Sequence, residues 1–173
     1  MFMIKFGTGG WRAIIGDDFT RENVQLVANG ILEYARENNK TDKPIIIGYD
    51  RRFLSETAAK WIAEVLANGG IDVWFLNRSA PTPLVMHTVK DSELHFGVEV
   101  TASHNPARYN GIKVIVDEGR DASQEVTGRI EELIEETIML NLRTKEFSKK
   151  EIGRNNCRGL CPIRKDAVSE TAP

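Results

Sequence analysis

The sequence is short of cysteine, histidine, net charge and long apolar runs, and each shortage removes a class of function. Cys157 and Cys161 are its only cysteines, and it has three histidines among 173 residues. Two thiols do not make a disulfide framework. Their C-x-x-x-C spacing, with no histidine near it, gives little support for a metal or redox pair. A formal net charge of −2 supplies no basic footprint for nucleic acid. No apolar stretch approaches the roughly 20 residues that cross a bilayer. The N-terminus, "MFMIKFGTGGWR", lacks the apolar core of a signal peptide. The expected setting is the cytoplasm, with neither nucleic acid nor membrane as partner, so the sequon at Asn77 carries no weight. No Walker loop, G-x-G-x-x-G fingerprint or G-x-S-x-G elbow occurs, which leaves nucleotide-binding and α/β-hydrolase readings without a motif.

What is present is an alternation of buried strands and amphipathic helices. "IIIGYD" (Ile45–Asp50), "IDVWFLN" (Ile71–Asn77), "HFGVEVTA" (His95–Ala102) and "GIKVIVD" (Gly111–Asp117) read as strands. "IKFGTGGWRAIIG" reads as an extended segment broken by a Gly-rich bend. Val24, Val27, Ile31, Tyr34 and Ala35 recur at helical spacing after Thr20, a suitable N-cap. A second helix is expected from Ser55 to the stop at Gly69, a third from "PTPLVMHTVK", and a fourth from about Gln124 to Leu142. The order predicts an α/β domain of three layers, α/β/α, around a mixed, mostly parallel sheet. Ligands of such sheets bind in loops beyond the carboxyl ends of the strands.

One such loop carries "ASHNP", Ala102 to Pro106. Two readings stand for it. Asn and Pro are turn formers, so the segment can be an ordinary turn. Alternatively, Ser103 is reactive, with His104 brought beside it by a bend. A serine nucleophile needs a base, but a serine that carries phosphate needs charge stabilisation instead. "NG" at Asn110–Gly111 signals a hairpin, which would bring Lys113 to the base of the same loop, as a cation for phosphate or as a plain strand lysine. "FGTGGWR" places Gly7, Gly9 and Gly10 around Thr8, so that backbone N–H groups can approach an anion, and Arg12 adds a phosphate-matched fork. His87 and His95 read as structural or surface residues. Asp17, Asp18 and Asp50 read as loop and cap residues, since no metal-ligand spacing surrounds them.

Together, "FGTGGWR" and "TASHNPARYNGIKV" closely resemble the two signatures of the first domain of the α-D-phosphohexomutases, the phosphoglucomutases and phosphomannomutases. The likeness runs from about Ile4 to about Leu142. It implies residues 1–143 as the phosphoserine domain; residues 144–173, rich in Lys, Arg, Asn and Ser with little periodic apolar pattern, read instead from their composition as a poorly ordered tail or linker. It implies Ser103 as the phosphoryl carrier, His104 beside it, and Lys113 and Arg12 as catalytic cations. Thr8, Gly9, Arg12 and Lys113 would meet the substrate, a hexose phosphate. It implies Mg²⁺, bound here only through the phosphate on Ser103, and hexose 1,6-bisphosphate as intermediate and activator. Family members have four domains, so domains II–IV, with their metal aspartates in a "DGDxDR"-like loop, are the expected partners. Gly9 stands where the family often has Ser or Asp. Alone, the chain is expected to be inactive and to expose interdomain surface through which it could self-associate. The competing expectation is a non-catalytic α/β domain that only binds phosphate or serves as a scaffold.

Overall fold

A computed structural model describes residues 4–7 and 9–151. In chain order these form β1 (Phe6–Gly7), β2 (Gly10–Ile14), α1 (Arg21–Glu37), β3 (Ile45–Tyr49), α2 (Ser55–Asn68) and β4 (Val73–Phe75). Then follow α3 (Thr82–Asp91), β5 (Phe96–Val100), β6 (Tyr109–Val116), a 3₁₀ turn (Asp117–Gly119), β7 (Arg120–Asp121) and α4 (Gln124–Glu151). The strands make one sheet in the order β1-β2-β6-β5-β3-β4, with β7 pairing β6.

Every residue of β3 and β5 is buried. Neither strand alternates apolar with polar, because both faces of the sheet are covered. On one face α1, α2 and α4 contribute Val27, Ile31, Ile62, Leu66 and Ile130 to a large core with Ile45, Ile47 and Val98. On the other, α3 packs Val85 and Val89 against Ile46 and Ile115. The expected three layers are therefore present. Thr20 caps α1 as its pattern predicts, its hydroxyl accepting from the Asn23 N–H at 3.3 Å.

The sheet is mixed, but the expected excess of parallel pairing is corrected. Among the described strands only β3–β4 and β3–β5 pair in parallel; the other four strand pairings are antiparallel. A parallel pair needs a crossover, which α2 and α3 supply. The link from β5 to β6 is too short for one, so β6 returns antiparallel. The "NG" signal is also displaced: Asn110 and Gly111 lie inside β6, and the turn itself falls on the residues before Tyr109.

Helix α4 runs nine residues past its expected end at Leu142, so the expected boundary at 143/144 falls within a helix. Lys, Arg and Glu dominate "RTKEFSKKE", with neither Gly nor Pro; these are good helix formers even without an apolar stripe. The rest of the expected tail, with Cys157 and Cys161, lies outside the described residues.

Gly111 marks the tightest strand approach. A Cβ there would fall on the Trp11 carbonyl oxygen and lie 3.0 Å from that of Thr101. We expect Gly111→Ala to destabilise the fold by about 1–3 kcal/mol, read as a lower denaturant midpoint at constant slope. An unmoved midpoint would mean that β2 shifts freely away from β6.

Candidate active site

Ser103 lies three residues beyond the end of β5, and its backbone is left-handed, with φ 54°. For a residue with a Cβ this conformation is uncommon and has to be held by its surroundings. The Ser103 N–H donates to Thr101 Oγ1 at 3.0 Å, and the Thr101 hydroxyl donates to Asp50 Oδ2 at 2.8 Å. The bend brings Ser103 Oγ within 3.4 Å of His104 Nδ1, although neighbours on an extended segment would point apart. Both residues are exposed. Ser103 lines an open cleft of about 540 Å³ with Asp50, Arg51, Arg52, Phe53, Asn105 and Ala107.

The cleft's floor comes from the end of β3. Asp50 accepts from the Arg52 N–H at 2.9 Å and from Ser55 Oγ at 2.6 Å, and its other oxygen lies 3.2 Å from Arg52 Nε. The contact to the Arg52 N–H is a loop role of the kind its sequence position suggests; Asp50 caps no helix, since α2 starts without a side-chain cap bond. Arg52 donates to the carbonyls of Ser103 and Asn105, both at 2.7 Å, and to those of Pro106 at 3.0 Å and Tyr109 at 3.2 Å. Asn110, fully buried, donates to the Phe53 carbonyl and to Ser55 Oγ and accepts from the Gly111 N–H. Thus the start of α2 and the start of β6 are tied together beneath the Ser103 loop.

A second group gathers where β2, β6 and β7 meet. Lys113 Nζ lies 2.9 Å from Asp121 Oδ1, with the lysine side chain 20% exposed. Gly9 turns the chain with φ 74°, and a Cβ there would meet Asp121 at 3.3 Å and Lys113 at 3.8 Å. Arg12 pairs with Gly111 across β2–β6, and its Nη1 donates to the Gly10 carbonyl at 3.0 Å. Thr8 lies outside the described residues. Thus Gly9 and Lys113 come together at one cluster, with Arg12 on the adjoining strand β2, and Ser103 with His104 at another. No hydrogen bond or ion pair joins Ser103 to Lys113 among the described residues.

This chain of elements matches a known family. The model of the phosphoglucomutase/phosphomannomutase α/β/α domain I matches residues 3–140. The chain belongs to that family, through its domain I. It is 33% identical to a phosphoglucomutase of Staphylococcus saprophyticus over 84% of its own length and 27% of the relative's. It is 31% identical to a phosphoglucosamine mutase of Rippkaea orientalis, over 95% of its length and 34% of the relative's. A putative phosphomannomutase from Thermus thermophilus superimposes with a TM-score of 0.73 at 33% identity, covering 77% of this chain and 30% of that one. The chain thus spans about a quarter to a third of the length of these relatives.

Within domain I, the other sequence candidates stay apart from the site. His95 sits between Asp42 and Asp117, at 3.0 and 3.2 Å, and His87 is exposed on α3. Asp18 accepts from Asn23 through its backbone carbonyl. Among the described residues no three His, Cys, Asp or Glu side chains form a metal site.

Sequence reasoning missed Arg52, Asp121, Thr101 and Glu99. Arg52 was accessible to the rule already applied to β5, since it too follows the carboxyl end of a parallel strand. Glu99 was visible as the one charge inside an apolar strand. It is fully buried, and neither carboxylate oxygen has a hydrogen-bond partner. Burial pushes its carboxyl up to about 8, and the nearby Asp50 charge adds to this, while Lys113 opposes both. Asp121 was hidden, because nothing in "DEGRDAS" announces the two-residue strand that returns it to Lys113.

Proposed function

We propose that this chain is the phosphoserine domain of a mutase that moves phosphate between the 1 and 6 positions of a hexose phosphate. The observation that carries the reading is Ser103: an exposed hydroxyl on a left-handed turn, beside an open cleft, on a loop anchored by one arginine. A solvated turn has no need of such anchoring, whereas a group that must meet phosphorus in line does. Relatives named phosphoglucomutase, phosphoglucosamine mutase and probable phosphoribomutase support a sugar phosphate as the substrate class.

In the proposed step, a sugar hydroxyl oxygen attacks the phosphorus on Ser103. The Ser103 Oγ–P bond breaks, the hydroxyl proton leaves to a base, and Ser103 Oγ regains a proton. The resulting bisphosphate then returns its other phosphoryl group to Ser103. Arg12 and Lys113 supply positive charge toward the transferring group, with Gly9 and Thr8 on the approaching turn and His104 beside the carrier. Mg²⁺ would offset phosphate charge, with Ser103's phosphate as its one ligand here and the others from domains II–IV. The isolated chain would then be inactive, and residues 144–173 would lead toward the rest of a cytoplasmic enzyme. Phe53, 72% exposed on the cleft rim, fits burial against those domains, or self-association in their absence.

The test is intact-mass spectrometry after incubation with glucose 1,6-bisphosphate, on this chain and on the full-length protein. We expect one phosphoryl group on the full-length protein, absent in Ser103→Ala. Lack of any phosphoryl uptake by the full-length protein would leave a phosphate-binding or scaffold domain as the better description.

A further inference from the structure

Arg52 has five N–H donors; the four on Nη1 and Nη2 are hydrogen-bonded, and Nε lies in an ion pair with Asp50. Nε faces Asp50, Nη1 reaches the carbonyls of Pro106 and Tyr109, and Nη2 reaches those of Ser103 and Asn105. Its side chain is 17% exposed. An arginine on the rim of a phosphate cleft would ordinarily be read as a phosphate ligand. This one directs its four Nη donors to carbonyls and its Nε toward Asp50. Its contacts beyond Asp50 are instead to the backbone of the loop that carries Ser103 and to Tyr109, where that loop enters β6.

The loop needs such a hub. Ser103 is left-handed, and the carbonyls of Ser103, Asn105, Pro106 and Tyr109 all turn toward the same side. Four converging carbonyl dipoles repel one another unless a cation lies among them. The planar guanidinium meets that need with fixed directions, which a lysine ammonium with three rotating donors cannot copy. Asp50 braces the hub and, through Thr101, also holds the Ser103 N–H. With its carbonyl and N–H both bound on the protein side, Ser103 has only its side chain left for the cleft.

We propose that Arg52 is a positioning residue for phosphoryl transfer: it holds the carbonyls of the Ser103 loop and so maintains the left-handed backbone that presents the serine hydroxyl. The role in transfer rests on the mutase reading; the hold on the loop does not.

The amides of Ser103, Asn105 and Tyr109 are each hydrogen-bonded within the loop, and their hydrogen exchange reports its closure. In Arg52→Lys and Arg52→Ala versions of the 173-residue chain we expect these three amides to exchange at least about tenfold faster. Amides of β3 and α1 should keep their rates. Millimolar methylguanidine should restore protection to Arg52→Ala but not to Arg52→Lys, whose ammonium fills the space. Should either variant unfold throughout, Ser103→Gly provides the second measurement. Glycine adopts positive φ without strain, so Arg52→Lys should accelerate loop exchange less in the Ser103→Gly background than in the parent. Unchanged loop protection in Arg52→Lys, or equal acceleration in both backgrounds, overturns the proposal. Phosphoryl loading distinguishes the two readings. If full-length protein takes phosphate on Ser103, Arg52→Lys should slow that loading by about a hundredfold or more; unchanged loading would also overturn the proposal. If no phosphate is taken up while loop exchange responds as expected, the mutase reading fails and the hold on the loop stands.

Discussion

Thermal stability should fall as pH rises from 5 to 8, and Glu99→Gln should remove most of that fall. Glu99 is fully buried, without a hydrogen bond to either oxygen. Desolvation is the main cause of its raised carboxyl, with Asp50 adding repulsion and Lys113 attraction. An unfolded glutamate loses its proton near the ordinary 4.5, whereas the folded one holds it to about 8. Between those values the folded chain binds one proton more than the unfolded chain. Stability from Glu99 is therefore complete below the lower value and drains away as pH climbs, by about 1.4 kcal/mol per pH unit. Glutamine keeps the shape and does not titrate.

The quantity to measure is the difference between the melting curves of parent and Glu99→Gln across this range, since other titrating groups cancel in it. A relative loss of about 7–15 °C by the parent is expected for a domain of this size. Parallel curves would show that Glu99 is solvated or paired in solution. Glu99→Leu carries the same logic further. It removes an unpaired polar group, so it should exceed the parent in stability at pH 8 even if it gains nothing at pH 5. The space over Gly48 makes the site permissive for the carboxyl, since a Cβ there would collide with Glu99 and Val85.

Lys113→Met, in the full-length mutase proposed here, should lower kcat by about 10²–10⁴ while the fold persists. Methionine retains much of the lysine stem's packing along β6. It leaves Asp121 without its cation, but that carboxylate is 44% exposed and water can replace the partner at little cost. Stability and turnover should therefore separate, which a purely structural lysine could not do. An unchanged kcat would remove Lys113 from the mechanism. Lys113→Arg is not a rescue, because the guanidinium is longer and planar. The two predictions are also coupled. Lys113 is the one named charge drawing Glu99 toward ionisation, so its loss should extend the pH-sensitive range of stability upward.

The fold was legible because its signals are local. β-Branched runs, broken in β6 only by Lys113, marked the cores of β3 and β6, helical spacing marked α1 and α2, and Thr20 and Gly69 marked where helices begin and end. Errors arose where a local signal was outweighed by context. "NG" at 110–111 is a turn dipeptide, yet Asn110 is worth more buried, where it bonds Phe53, Ser55 and Gly111. The polar stretch after Leu142 lacks an apolar stripe, but helix propensity carries α4 to Glu151.

The candidate site divides along the same line. Residue types and spacing by themselves determined an α/β domain, a Ser-His pair in the loop beyond β5, a Gly-rich turn and two cations, because each depends on neighbours within a few positions. Only the tertiary structure decided which groups hold the serine, and that the arginine beneath its loop is committed to backbone carbonyls. Arg52 and Asp50 lie some fifty positions from Ser103, and the parallel pairing of β3 with β5 sets those strand ends side by side. Directional hydrogen bonds and unshared carboxylates depend on that juxtaposition. It is a property of sheet order, which no short stretch of sequence contains.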